Sequence, residues 1–181
     1  VVMHDNGLLY ISNPNKALTW MDSEIDKVPV NIRNGYVVEI NALWYNAVCF
    51  SLEIAKATKA TKFISEWKDV PSLIEQSFTA VFWDDKLSYL ADFVKEGYKD
   101  FSVRPNQIFA ASLEYSPIND FQKQAVITVV KKELLTPKGL RSLSPNNPKY
   151  SAFCEGNMAS RAYAYHQGCV WTWLLGPFIE A

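Results

Sequence analysis

The chain has 181 residues, 49% hydrophobic and 20% charged, which suits roughly one domain with a packed core. Its 18 basic and 19 acidic residues nearly cancel, and a net charge of -1 argues against a nucleic-acid binder, which would carry a basic stripe. No run approaches the ~18 apolar residues of a membrane span. No CxxC spacing joins Cys49, Cys154 and Cys169, and His4 and His166 are the only histidines, so no metal site is expected.

The odd cysteine count favours free thiols and a reducing, cytoplasmic compartment. No signal peptide is visible. The chain opens at Val1 and stops at Glu180-Ala181 without a closing turn signal, and is read as a single domain, 1–181, that is a fragment of a larger one. An aromatic share of 14%, with 6 Trp and 9 Tyr, fits either a large core or a carbohydrate site.

Residues 1–38 read as irregular with short extended pieces. Gly7 to Ile11 has strand character, Ser12-Asn13-Pro14-Asn15 is turn-rich, and Val28-Pro29-Val30 and Asn34-Gly35 are turn signals. From Glu39 to about Ala60 the chain is rich in Ala and aromatics without Gly or Pro, which predicts a helix. Its first half is apolar nearly all round, as for a rod buried on several sides. Phe63, Ile64, Trp67, Val70, Ile74, Phe78, Val81 and Phe82 recur at helical spacing, and Pro71 predicts a break at Asp69-Val70.

Leu87 to Val94 alternates partly and reads as extended; Gly97 to Asp100 reads as a loop. A short helix is expected from near Pro105, and Asn119-Asp120 caps another that runs to about Leu135, where Thr136-Pro137-Lys138-Gly139 stops it. A Pro- and Asn-rich loop spans Leu140 to Phe153. The last stretch is expected to be helical from near Val170 until Pro177. This is a pattern of helices joined by long loops, and loops of such length are uncommon without function.

Four polar clusters stand out: Trp20-Met21-Asp22, Val38-Glu39-Ile40-Asn41, Arg104-Pro105-Asn106-Gln107 and Tyr165-His166-Gln167-Gly168. Read as segments preceding helices that face one way, they would gather at one end of a bundle. Such a site offers acids (Asp22, Glu39), amide and imidazole groups for hydroxyls, and indoles for sugar faces (Trp20, Trp44, Trp171, Trp173). It has neither the glycine loop of a phosphate site nor motif support for a Ser-His-Asp triad. Glycoside hydrolysis typically needs two carboxyls, about 6.5–9.5 Å apart when the outcome is inversion. The acid must keep its proton near neutral pH, which apolar surroundings favour; Trp20 and Met21 are placed to supply them for Asp22. Blander readings stand beside these. Asp22 also suits a turn or helix cap, Glu39 a helix-dipole charge, Arg104 a surface ion pair, His166 a satisfied half-buried histidine, and Trp171 and Trp173 the core.

Taken together and in order, several motifs resemble one family. They are Ala17-Leu18-Thr19-Trp20-Met21-Asp22, Val38 to Ala47, Val103 to Ala110, Leu134-Leu135-Thr136-Pro137, Gly139-Leu140-Arg141-Ser142-Leu143, Ala164 to Gly168, Trp171 and Leu174 to Phe178. The set resembles the amylo-α-1,6-glucosidase domain of glycogen debranching enzymes in its bacterial and archaeal form. The resemblance implies an all-α fold, part of an α/α toroid or six-hairpin barrel. It implies hydrolysis, with inversion, of α-1,6-linked glucose stubs on a glycogen-like glucan, without cofactor or metal.

Asp22 is then the general acid. Trp20, Glu39, Asn41, Trp44, Arg104, Asn106, Gln107, Arg141, His166, Gln167 and Trp171 line the substrate site. The sequence departs from the family pattern at Arg161-Ala162, where Arg-Asp is usual, and at Trp171-Thr172-Trp173, where Trp-Pro-Trp is usual. The general base is expected in a motif beyond this chain. The rival reading is a non-catalytic glucan-binding or structural piece, whose incomplete toroid would self-associate.

Overall fold

The computed structural model describes residues 1–13 and 15–181. Of the turn-rich run Ser12 to Asn15, Pro14 lies outside the described residues.

The first forty residues are built from short strands: β1 Val2–Met3, β2 Leu9–Ile11, β3 Glu24–Ile25, β4 Val28–Pro29 and β5 Gly35–Val37. The expected strand at Gly7 to Ile11 is present as β2, whereas Val28-Pro29 and Gly35 lie in strands rather than in simple turns. Helices α1 Val38–Ala57, α2 Thr61–Trp67 and α3 Val70–Phe82 follow. The break at Asp69 falls where Pro71 predicts it: without a backbone N–H, proline is tolerated only in the first turn.

Next come β6 Trp83–Asp84, β7 Tyr89–Leu90, β8 Phe93–Lys95 and β9 Tyr98–Asp100. The segment Gly97 to Asp100, expected as a loop, thus supplies a strand after the turn at Gly97. A 3-10 turn over Pro105–Gln107 opens α4 Ile108–Ser112. Helix α5 Asp120–Leu134 starts at a capping box, in which Asn119 accepts from the Gln122 amide and the Gln122 side chain accepts from the Asn119 amide. Then come β10 Leu135–Thr136, β11 Gly139–Arg141, α6 Met158–Ala164, β12 Val170–Trp171 and α7 Leu175–Glu180. Val170 opens a strand rather than a helix, and Pro177 lies inside the first turn of α7 instead of ending it.

The expectation of an all-α toroid is therefore corrected: the chain is mixed α/β. β1, β2, β5, β8 and β9 form a five-stranded antiparallel sheet in that order, β10, β11 and β12 a three-stranded one, and β3–β4 and β6–β7 two hairpins. The strands are two or three residues long, too short for alternation to distinguish them from loops. Only their pairing defines them, within local hairpins such as β3–β4 and β8–β9 and across longer separations at β2–β5, β5–β8 and β11–β12.

Leu8, Val38, Ala42, Ile74, Phe78, Phe82, Ile108, Val126, Val130, Leu134, Leu140 and Leu174 form the buried core between helices and sheets. Helix α1 buries Val38, Asn41, Ala42, Val48, Leu52 and Ala55 but exposes Leu43, Phe50 and Ile54. Burial on several sides thus fails for its outer face. Among the described residues, no helix is long and apolar enough to cross a membrane.

The sheet register sets up the site. β5 pairs antiparallel with β8, Val37 opposite Phe93, and β5 runs straight into α1. The Val38 amide donates to the Asp92 carbonyl at 3.1 Å. Arg33 (just before β5), Glu39 (in the first turn of α1) and Asp92 (just before β8) therefore meet at one edge. Gly35 permits the close pairing: its φ is +104°, and a Cβ there would lie 2.2 Å from the Val94 carbonyl oxygen.

Candidate functional site

At that edge lies a buried charge cluster. Arg33 Nε donates to Asp92 Oδ2 at 2.6 Å and Nη2 to Asp92 Oδ1 at 2.9 Å. The other side of the guanidinium donates to both oxygens of Glu39, Nη2 to Oε2 at 2.7 Å. All three side chains are almost fully buried. Burial by itself would push the Arg33 guanidinium toward its neutral form, but the Asp92 and Glu39 carboxylates override it and hold the charge more firmly than in water.

A second buried arginine completes the cluster. Arg104 Nη1 donates to the His166 carbonyl at 2.7 Å and to the Ser142 carbonyl at 3.0 Å. Its Nη2 donates to Gln167 Oε1 at 2.9 Å and to Asn31 Oδ1 at 3.1 Å, while Nε lies 3.8 Å from Asp92 Oδ2. Burial lowers its pKa, with Asp92 opposing and Arg33 reinforcing the shift. Two arginines face two carboxylates, so the buried cluster is neutral as a unit, the condition under which charges are tolerated away from water.

The cluster leads to an aromatic corner. Asn106 Nδ2 donates to Asp92 Oδ1 at 2.7 Å, and Asn106 Oδ1 accepts from Trp20 Nε1 at 2.7 Å. The Trp20 ring makes edge-to-face contacts with His166 at 5.1 Å, Trp173 at 5.2 Å and Trp171 at 5.4 Å between centroids. His166 stacks on Trp171 at 5.2 Å. Its Nε2 lies 3.4 Å from Asp22 Oδ1, the imidazole fully buried and the Asp22 side chain 68% exposed. Burial pushes the His166 pKa below its ordinary value, and the Asp22 carboxylate opposes that shift. The ring presents Nε2 to Asp22, while among the described residues Nδ1 has no hydrogen-bond partner.

This arrangement revises the expected surroundings of Asp22. Met21 is fully buried and points inward, its sulfur 3.8 Å from Arg104 Nη1 and 3.6 Å from Asn106 Nδ2. Trp20 and Met21 therefore do not enclose the carboxylate of Asp22, which stays open to an incoming molecule.

The sequence-derived site residues divide into groups. Trp20, Asp22, Asn106, His166, Gln167, Arg104 and Trp171 meet around this corner and the network behind it. Glu39 is tied to Arg33. Gln107 is buried and bonds to the Leu90 amide and the Arg104 carbonyl, which fixes the turn before α4. Arg141 pairs its backbone with Val170 across β11 and β12. Asn41 clamps α1 to β2, accepting from the Leu9 amide at 2.7 Å and donating to the Leu9 and Val37 carbonyls. Trp44 donates to the Gly7 carbonyl at 3.0 Å and packs against Trp67, among residues that do not touch the corner.

The clusters do not converge as aligned helix starts. Trp20-Met21-Asp22 precedes the β3–β4 hairpin, and Tyr165-His166-Gln167 follows the end of α6. Gly168 closes the latter loop tightly: its amide donates to Ser142 Oγ at 2.9 Å, and a Cβ on it would lie 2.2 Å from the Ser151 carbonyl oxygen.

Sequence reasoning missed Asn31, Arg33 and Asp92. Asn31 Oδ1 accepts from both Arg104 and Gln167 Nε2. The one local signal was Asp92 itself, a carboxylate in the apolar run Leu90-Ala91-Asp92-Phe93-Val94. Among the described residues, no group of three or more His, Cys, Asp or Glu is placed to hold a metal ion.

Comparison with known proteins agrees with the ordered motifs. The family described as amylo-alpha-1,6-glucosidase matches residues 1–181. A glycogen debranching enzyme of Saccharomyces cerevisiae is 26% identical over 97% of this chain, which spans 14% of that protein's length. The crystal structure of a GH78 family rhamnosidase of Bacillus sp. GL1 is similar in fold, with a TM-score of 0.53 and 21% identity over 71% of this chain and 13% of that one. With its whole length matched, the chain belongs to the amylo-alpha-1,6-glucosidase family.

Proposed function

We propose that the chain forms part of the sugar-binding and proton-donating face of a debranching glycosidase. The substrate is a glycogen-like α-glucan bearing α-1,6-linked glucose stubs. Asp22 donates the proton to the glycosidic oxygen, and water attacks the opposite face with inversion. One observation carries this reading: the Asp22 side chain is open to an incoming molecule at a corner walled by Trp20, Trp171 and Trp173, with fully buried His166 3.4 Å away, so a bound sugar rather than Trp20 and Met21 would supply the apolar cover that keeps its proton. Indole faces suit the apolar face of a pyranose, and the indole N–H and nearby amides suit its hydroxyls.

A second reading has its own support. An inverting reaction needs a second carboxylate free to activate water. The two buried carboxylates behind the corner, Glu39 and Asp92, are both held by Arg33 and shielded from water. The alternative is thus a glucan-binding unit whose base comes from outside these residues. Glucose release from a glucan with single α-1,6-glucosyl stubs, compared between the parent chain and Asp22→Asn, separates the readings. Release lost in the variant supports proton donation. Binding without release by either supports the binding unit, and absence of both refutes the sugar site.

A further inference from the structure

Helix α5 borders a groove whose lining residues are distinct from those of the aromatic corner. At one end, a cavity of about 420 Å³ lies between Tyr89, Phe101, Glu133, Ser144, Asn146 and Asn147. A neighbouring cavity of about 390 Å³ follows α5 to Phe121 and shares Leu87, Val129 and Lys132 with the first. Each is in the size range of a small-molecule site, and the shared wall makes the pair one elongated trough. The first cavity is built from ordered polar groups. Glu133 Oε2 accepts from Ser144 Oγ at 2.6 Å and from Asn146 Nδ2 at 2.7 Å. These bonds, Ser144 first, hold the Glu133 carboxyl below its ordinary pKa, although burial opposes them. Asn147 Nδ2 donates to Ser102 Oγ at 3.1 Å. Glu133 Oε1 and Asn146 Oδ1 remain as acceptors for a ligand, and the Ser102 hydroxyl as a donor. The Ser144 amide donates to the Val103 carbonyl at 3.0 Å, one residue before Arg104, so the wall of the groove continues into the buried cluster.

We propose that this groove is a second carbohydrate site, which holds a linear stretch of α-glucan apart from the Asp22 corner. The charge of the lining selects a neutral ligand: its two ionised side chains, Lys132 and Glu133, have opposite signs and stand 3.8 Å apart. Aromatic rings supply the apolar faces. Tyr89 and Phe101 meet edge-to-face at 5.9 Å, and the Tyr89 hydroxyl is tied to the Phe101 carbonyl at 2.9 Å, which fixes the phenol ring. At the other end Phe121 is 70% exposed, with its ring 6.2 Å from that of Trp83. Amide, hydroxyl and carboxylate groups beside aromatic faces match the hydroxyl edges and apolar faces of pyranose rings. The length of the trough suits several rings in a row. That the ligand is a neutral saccharide rests on the groove itself; that it is an α-glucan rests on the reading of the Asp22 corner.

The test follows the backbone amide NMR signals of the isotope-labelled 181-residue chain during titration with maltoheptaose, a linear α-glucan. Saturable shifts are expected at Ser102, at Ser144 to Asn147 and along α5 from Gln124 to Val129. Asn146→Ala and Phe121→Ala change exposed side chains, and each weakens the binding read at these amides by about twofold to tenfold. Trp173→Ala, at the corner, leaves the affinity read at the groove unchanged. Shifts at the groove without shifts around Asp22 support this site and count against the corner. Shifts around Asp22 alone overturn this site and leave the corner reading standing. No response at either place, groove affinity unaltered in both groove variants, or equal groove affinity for the β-linked cellohexaose overturns the proposal.

Discussion

Asp92 grips Arg33 through both carboxylate oxygens, at 2.6 and 2.9 Å, although the residues are 59 positions apart. The pair joins the five-stranded sheet to the loop before β5, and Asn106 extends it to the Trp20 indole. Removing Arg33 would leave Asp92 and Glu39 buried without their countercharge. Arg33→Met is therefore expected to destabilise the fold by about 3–5 kcal/mol. Adding Glu39→Gln should recover part of that loss, because one orphaned charge is then gone. Urea unfolding of the set checks this, and strictly additive losses would show that the charges are not coupled.

Asn106 links that pair to the indole, donating to Asp92 and accepting from Trp20. Asn106→Leu deprives Asp92 of one donor and Trp20 of its acceptor, with an expected loss of about 1–3 kcal/mol. Trp20→Phe keeps an aromatic ring but has no N–H, leaves Asn106 Oδ1 unpaired, and should fall in the lower part of that range. A change under about 0.5 kcal/mol in both variants, the scale of ordinary surface substitutions, would mean that the bond to the indole is dispensable.

The His166–Asp22 contact predicts a pH dependence. Burial makes folded His166 less ready to take a proton than in the unfolded chain, where it does so near pH ~6.5. Stability from the neutral ring is thus fully present above that pH and is lost as pH falls toward the lower folded value. Because the Asp22 carboxylate opposes the shift, Asp22→Asn should move the His166 titration to still lower pH. Ring-proton NMR in a His4→Asn background reads it directly; movement to higher pH would contradict the contact.

Gly168 has a φ of +152°, with the Ser151 carbonyl where a Cβ would stand. Gly168→Ala must open the backbone contact that seats Gln167 and His166. We expect about 1–3 kcal/mol of destabilisation, and weaker glucan binding if the aromatic corner is the sugar site. Chemical denaturation and glucan affinity, measured together, check the two effects. A variant as stable as the parent would show that the loop has room to adjust.

The ordered motifs, α1, the break before Pro71 and the cap of α5 at Asn119 were legible in the sequence, because each rests on local spacing or on residue type, and Trp20, Asp22, Arg104 and His166 could be picked out as candidates by residue type alone. The family assignment rests on the order of those motifs along the chain. The small sheets were not legible: strands of two or three residues carry no period, and the pairs that join the hairpins into sheets, β2–β5, β5–β8 and β11–β12, link segments many residues apart. The pairing of Arg33 with Asp92 was invisible for the same reason, since a buried ion pair has no sequence spacing and is set by the register of β5 against β8; only Asp92, a carboxylate in an apolar run, left a local trace. Only the tertiary structure decided that Asn41 and Trp44 serve packing between α1 and its neighbours, that Glu39 is committed to Arg33, and that Asp22 faces solvent. Which way a side chain points, and what reaches it, depends on the contacts made by the folded chain.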